Sequence, residues 1–212
     1  CTNNFATFNS LDKHGNVNTA NGNMQTNSTT GGNHFPIFTT QSMKGGKFYM
    51  EYRLLNNDNG VIFSIMNIEH DAGSLNTDST PGNNTSAVNK VGFGLLVGSG
   101  RTSHNGTLSA PGAYGSALGT SDVGMCAVDL DNGKIYWGKN GTFFNSGNPA
   151  NGTNAAFTTI DTDTTWNFCS HVLNNNNVAV NYGQHSFSHT PPTGFVRLCT
   201  ADLPEPDAPK GS

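Results

Sequence analysis

Residues 124–141 read GMCAVDLDNGKIYWGKNG, and this stretch decides the fold class. Apolar and polar residues alternate on both sides of Asn132-Gly133, which is the period-two pattern of a half-buried antiparallel strand. An Asn-Gly pair between two alternating runs is the strongest local cue for a hairpin, because a type I′ turn needs positive φ at both central residues. The stretch therefore predicts a β-hairpin with a type I′ turn at Asn132-Gly133 and a further reversal at Asn140-Gly141.

The rest of the chain has the composition of an all-β protein. Charged residues make up only 11% of the 212 residues and Gly occupies 26 positions, and Gly, Asn, Ser and Thr are poor helix formers. Aromatic residues, at 9%, are too frequent for a chain with nothing to bury. We predict an antiparallel two-sheet β-sandwich, with further strands over 47–55, 61–68, 91–97, 165–173, 178–182 and 194–199.

Three regions are expected along the chain. Residues 1–45 form an Asn-rich N-terminal arm and the first strands of the sandwich, and 46–201 form its core. Residues 202–212 are rich in Pro, have no hydrophobic period and are predicted to be a linker. Two polar insertions, 69–90 and 99–121, are too long for tight turns, and loops of this length in a compact domain are often functional.

Charge and hydropathy exclude two classes of partner. The net charge of −4 argues against nucleic acid, because a nucleic-acid binder usually carries a basic patch. No run approaches 18 apolar residues, so membrane insertion is not expected. Cys126, Cys169 and Cys199 lie in apolar runs and are expected to be buried, unreactive thiols, although disulfides among these residues and Cys1 stay open.

The hairpin stretch resembles the hallmark segment of SPRY domains, which reads apolar–Asp–Leu–Asp–x–Gly–x–apolar–aromatic–x–x–Asn–Gly. Residues 46–52 (GKFYMEY) resemble an early strand of that family, and 181–187 (NYGQHSF) resemble a late one, in the family's order. The resemblance implies a concanavalin A-like jelly roll that acts as a binding module and not as an enzyme. The hallmark residues are Asp129, Leu130, Asp131, Asn132, Gly133, Trp137, Asn140, Gly141, Asn181 and Gly183.

A narrower resemblance concerns both ends of the chain. Residues 191–206, 4–12 and 21–24 are similar to SPRY units of tailed-phage structural proteins. This similarity implies a location in a virion, as a tail, fibre or capsid-decoration unit that forms part of a longer chain and of a homo-oligomer. The expected partner is a host-surface glycan or protein, or a neighbouring virion subunit.

Motifs for catalysis or metal binding do not match. Asp129-x-Asp131-x-Gly133 resembles the start of a calcium loop, but the fifth position is Gly and the twelfth is Asn140 instead of Glu. Glu51 and Asp129 are the carboxylates on the predicted strands and form no glycosidase motif. The chain contains neither HExxH nor G-x-S-x-G. We predict no catalytic residue, no metal and no cofactor, although a Ser-His-Asp triad assembled in space stays open.

The two insertions supply the predicted binding rim. Tyr114 is expected to be an exposed aromatic contact in a Gly-rich loop, and Arg101 and His104 precede it in the same insertion. His70 and Asp71 in the other insertion complete the rim. Trp137 and Trp166 are instead expected in the core, because they continue the apolar alternation of their strands. Two alternatives stay open, namely a secreted carbohydrate-binding lectin and a purely structural spacer.

Overall fold

The computed structural model describes residues 3–29, 34–56, 60–67, 92–104, 107–173 and 175–203. Within these ranges the chain forms fourteen strands and one short 3-10 turn, Phe144–Ser146. The strands are β1 (Phe8–Lys13), β2 (Val17–Ala20), β3 (Gln25–Ser28), β4 (Phe35–Thr39), β5 (Lys47–Leu54), β6 (Ile62–Asn67), β7 (Gly92–Leu96), β8 (Arg101–His104), β9 (Thr107–Leu108), β10 (Gly124–Asp129), β11 (Lys134–Lys139), β12 (Thr142–Phe143), β13 (Trp166–Val172) and β14 (Asn177–Asn181).

The described strands form two antiparallel seven-stranded sheets, which confirms the predicted β-sandwich. Sheet 1 has the order β1-β4-β13-β6-β7-β8-β9, and sheet 2 has the order β12-β11-β10-β5-β14-β3-β2. The large aromatic side chains of the two inner faces meet between the sheets, where Tyr52 of sheet 2 stacks on Phe63 of sheet 1 with ring centroids 3.7 Å apart. No described helix is long and apolar enough to cross a membrane.

The core is built as the alternation predicted. Trp137 and Trp166 are 0% and 2% exposed and belong to the main apolar cluster, which confirms their expected role. Cys126, Cys169 and Cys199 are buried and unpaired, as expected. Burial raises the pKa of the Cys126 and Cys169 thiols, because the thiolate would lose its hydration. These thiols are therefore unreactive in the folded protein.

The type I′ turn lies at a different Asn-Gly pair from the one predicted. Asp129 pairs with Lys134, so the hairpin loop has four residues, and of these only Gly133 has positive φ, at +64°. Lys139 pairs with Thr142, which leaves the two-residue loop Asn140-Gly141, with φ values of +51° and +85°. The prediction of a type I′ turn at Asn132-Gly133 was wrong, because the register of the hairpin makes that loop two residues longer.

The prediction of a last strand over residues 194–199 was also wrong. In its place the chain makes isolated bridges, including a parallel one between Val196 and Phe48 beside β5, after residues 187–195 have covered the face of sheet 2 that is opposite the core. Phe195 and Phe187 pack there against a second apolar cluster that contains Tyr49 and Tyr136. The apolar side chains of this run are thus divided, with Phe195 on the back of sheet 2, Leu198 in the main core and Val196 38% exposed.

Regions with weak sequence signals also contain strands. Between residues 8 and 39, β1 and β4 enter sheet 1 while β2 and β3 enter sheet 2. The insertion 99–121 contributes β8 and β9 to one edge of sheet 1. The insertion 69–90, and residues 204–212 of the predicted linker, lie outside the described residues.

Candidate binding surface

The acidic hallmark residues stabilise the hairpin. Asp129 is 1% exposed, and its carboxylate lies 2.9 Å from Lys47 Nζ on the neighbouring strand. It also accepts hydrogen bonds from the backbone and side-chain N–H groups of Asn132. Asp131 Oδ1 accepts the N–H of Gly46 at 2.6 Å. The two carboxylates are thus engaged in contacts that close the β10–β11 loop onto the start of β5.

The neutral hallmark residues have similar structural roles. Asn140 accepts the Val123 N–H through Oδ1 at 2.8 Å and donates through Nδ2 to Asp122 at 2.7 Å. Asp122 also accepts a backbone N–H, and these hydrogen bonds hold the pKa of its carboxyl below the usual value. Asn181 bridges the turn that follows β14, where Gly183 has a φ of +110°.

The buried carboxylate of Glu51 holds the segment that lies across the back of sheet 2. Glu51 lies on the face of β5 that is opposite the core, yet it is only 3% exposed, because residues 187–195 cover it. It accepts hydrogen bonds from the Tyr49 hydroxyl at 3.1 Å and from the Ser188 and His189 N–H groups at 2.8 Å each. Its lone pairs are thereby satisfied, as burial of a charge requires.

The structure separates the residues of the predicted rim. Arg101 pairs with Leu96 at one end of β8, while His104 pairs with Phe93 at the other, about 10 Å away at the usual rise of a strand. The Arg101 guanidinium donates to Ser109 O at 2.6 Å. The His104 ring stacks on Phe93 at 4.0 Å. The two side chains are thus held by separate contacts at the two ends of the four-residue strand β8.

The three other rim residues divide into one packed residue and two outside the described part of the chain. Tyr114 is half-buried and lies edge-on to Trp137 and Phe144, and its hydroxyl accepts the Trp137 N–H at 3.1 Å. Burial raises the pKa of Tyr114. The expectation that it is an exposed aromatic contact was wrong, because its ring closes the core. His70 and Asp71 lie outside the described residues.

The loop that contains Tyr114 is nevertheless well anchored and exposes small side chains. Gly115 and Leu118 donate backbone hydrogen bonds to Gly100 O and Val97 O. A Cβ on Gly100, whose φ is +62°, would lie 1.9 Å from Gly115 O, so only glycine permits this approach. Ala113 is exposed on the same loop. We call residues 109–122 the tip loop.

A cleft beside the tip loop was missed by the sequence analysis. It has a volume of about 540 Å³ and lies between residues 141–150 and 190–193. Its lining includes Pro149, Pro191 and the half-buried Phe143, and no lining residue is charged. We call it the Pro191 groove. The signal available in the sequence was the Pro191-Pro192 pair, but only folding brings it beside the Asn140-Gly141 turn.

The described residues contain a nucleophile-like arrangement that is inaccessible to a substrate. Ser64 Oγ lies 3.0 Å from His171 Nε2, and Cys169 Sγ lies 3.4 Å from the same nitrogen. All three residues are at most 3% exposed, so a substrate cannot reach them. In the part of the chain that the structure describes, no three His, Cys, Asp or Glu side chains converge as metal ligands.

This sandwich has the fold of SPRY domains. The SPRY domain of human HERC1 superposes with a TM-score of 0.61 at 15% identity, over 84% of this chain and 99% of that chain. The PSpry domain of TRIM65 gives a TM-score of 0.62 at 14% identity, over 86% and 90% of the two chains. A stonustoxin structure gives 0.59 at 13% identity, over 84% of this chain and 27% of that chain. At these identities the likeness establishes the fold alone.

Comparison of the sequence with known proteins identifies a relative that matches most of this chain, but it identifies no family model. No protein-family model matches the chain. The ATP-dependent RNA helicase DDX1 of Xenopus laevis is 28% identical over 168 residues. This match covers 77% of the present chain but only 19% of the helicase, so the chain spans about a fifth of that relative's length.

Proposed function

We propose that this chain is a non-catalytic recognition or assembly module of a tailed-phage virion. The observation that carries the recognition function is a SPRY-type sandwich whose hallmark polar residues are engaged in structural contacts, while anchored loops expose short uncharged side chains. A rigid scaffold with variable polar loops is the usual arrangement of a binding domain. The virion location rests on the resemblance of residues 4–12 and 191–206 to tailed-phage SPRY units.

The tip loop is the proposed contact surface for the partner. Its backbone is fixed by hydrogen bonds to Val97 and Gly100, so binding would order few additional residues. Its exposed side chains are small and uncharged, which suits a hydrated, hydrogen-bonded contact with a host-surface protein or glycan, or with a neighbouring virion subunit. Arg101, at the same end of sheet 1, is the nearest cation of the predicted rim.

Adsorption to intact bacterial cells tests this proposal. The labelled chain should adsorb to cells, and Ala113→Arg should weaken adsorption at least tenfold, because it places a long charged side chain on the tip loop without entering the core. Leu11→Arg is the matched control, since Leu11 is 95% exposed on the edge strand β1. Protease or periodate treatment of the cells separates a protein receptor from a glycan. Equal adsorption of both variants and the parent chain would remove the tip loop from the proposal.

A further inference from the structure

The Pro191 groove has the chemistry of a site for a neutral, hydroxyl-rich ligand. Its volume of about 540 Å³ lies in the range of ligand clefts, about 300–1,000 Å³, although the depression is shallow and open to solvent. The apolar part of its lining is formed by Phe143, Pro149 and the Pro191-Pro192 pair. None of its lining residues is charged, so it offers no counter-ion to an acidic or basic ligand. An uncharged ligand therefore loses the least hydration free energy when it moves from water into the groove.

The polar groups of the groove are available for binding. The hydroxyls of Thr142, Thr190 and Thr193 make no hydrogen bond to another residue in the described ranges. Asn148 Oδ1 accepts the Asn151 N–H at 3.2 Å, which orients the side-chain amide and leaves its NH₂ group to donate. Donors and acceptors thus surround an apolar surface, as in sites that recognise a polar ligand by orientation.

The groove is also held in one shape before a ligand binds. Asn145 and Ser146 both adopt left-handed backbone conformations, with φ of +54°. Such conformations cost about 1 kcal/mol or more in a non-glycine residue and are concentrated at functional sites. Asn148 and Thr153 exchange two backbone hydrogen bonds of 3.0 and 3.1 Å, which fixes the loop. A pre-organised wall of this kind lowers the entropy lost on binding.

A protein segment fits the groove less well than a sugar does. Addition of a peptide strand needs a free sheet edge, and β12, the edge strand here, has only two residues. A pyranose ring presents one face of C–H groups, which packs on an aromatic or proline ring, and a rim of hydroxyls that exchange hydrogen bonds with threonine and amide groups. Phe143 and the unbonded threonine hydroxyls match both requirements.

We propose that the Pro191 groove binds a short segment of a neutral glycan, with one sugar ring packed between Phe143 and the prolines. This inference rests on the proposed recognition function and deepens it, because it names the class of one ligand and a site other than the tip loop. The two sites are adjacent, since Phe144, next to the groove, contacts Tyr114 of the tip loop. A glycan held in the groove would extend toward that loop.

Binding to defined oligosaccharides tests the inference. The purified chain is applied to an array of neutral hexose and N-acetylhexosamine oligomers and of their sulfated and uronic-acid counterparts, and hits are titrated by calorimetry. Neutral oligomers should bind and acidic ones should not. Thr193→Arg should weaken binding at least tenfold by placing a charge in the groove. Thr162→Arg, an exposed threonine in another loop, should leave it unchanged.

Phe143→Leu gives an independent measurement of the stacking contact. It should weaken binding about five- to tenfold while the melting curve stays cooperative, because leucine keeps the contact with Tyr136 but has no flat ring. Preference for acidic oligomers, or binding that Thr193→Arg does not weaken, would overturn the inference. If no neutral oligomer binds while Ala113→Arg still weakens cell adsorption at least tenfold, only the groove inference fails. If both assays are negative, the proposed recognition function fails as well.

Discussion

Glu51→Gln is the most informative test of how the back of sheet 2 is closed. Glu51 Oε1 accepts the Tyr49 hydroxyl and the His189 N–H, while Oε2 accepts the Ser188 N–H at 2.8 Å. Glutamine can keep an oxygen at only one of these positions, and its NH₂ group then faces the N–H of Ser188. Losing this part-buried hydrogen bond to a charged group should lower the free energy of unfolding by about 1.5–3 kcal/mol.

Urea unfolding followed by tryptophan fluorescence measures this change, and the dependence on urea should keep its slope because the exposed surface is unaltered. Hydrogen exchange supplies a local readout, since the Ser188 and His189 amides should exchange faster than those of β10. Asp163→Asn is the matched control, an exposed loop carboxylate whose loss should change stability by less than about 0.5 kcal/mol. If Glu51→Gln changes the free energy of unfolding as little as Asp163→Asn does, the argument that the Glu51 carboxylate holds residues 187–195 on sheet 2 is refuted.

Three further predictions concern the hairpin and the N-terminal strands. Gly124→Ala should destabilise the protein by about 1–3 kcal/mol in urea unfolding, because the new Cβ would lie 2.0 Å from the Tyr52 ring, whereas Gly15→Ala meets open space. Asn140→Ala should lower the melting temperature more than Asn140→Gly, because both variants lose two hydrogen bonds and only alanine is strained at a φ of +51°. Thermal melts of the two variants measure this difference. Burial, aided by a lysine charge, lowers the pKa of His14. The unfolded chain then binds the proton more readily than the folded chain, so the free energy of unfolding should fall as the pH drops below 6.5. This fall should be smaller in His14→Gln, and an NMR titration of the imidazole measures the pKa in the folded protein.

Much of the fold could be predicted from local pattern. The alternation around residues 124–141 and 47–55 corresponds to β10, β11 and β5, which pair side by side in sheet 2. Period-two patterning reports which face of a strand is buried, and this information is local. Strands β2 and β3 gave little signal, because polar residues such as Asn and Thr occupy most of their positions and their burial depends on neighbours from elsewhere in the chain.

The candidate site was far less predictable. Arg101 and His104 are three residues apart at the two ends of β8, and each side chain makes a separate contact, to Ser109 O and to the Phe93 ring. Tyr114 lies in a Gly-rich loop, yet the loop folds back over Gly100 and delivers the ring to the core. The Pro191 groove joins two segments about fifty residues apart. No local sequence pattern indicates which segments distant in the chain will meet in the folded protein.

By itself, the sequence determined the all-β class, the hairpin and the burial of Trp137 and Trp166, because these depend on hydrophobic period and on the turn preference of Asn-Gly pairs. Only the tertiary structure decided that Asn140-Gly141 is the type I′ turn, that Glu51 is buried and that the groove exists. Each of these features depends on register or on a segment crossing a sheet. Strand register and the path of the crossing segment are both determined by packing between distant parts of the chain, which local sequence patterns do not report.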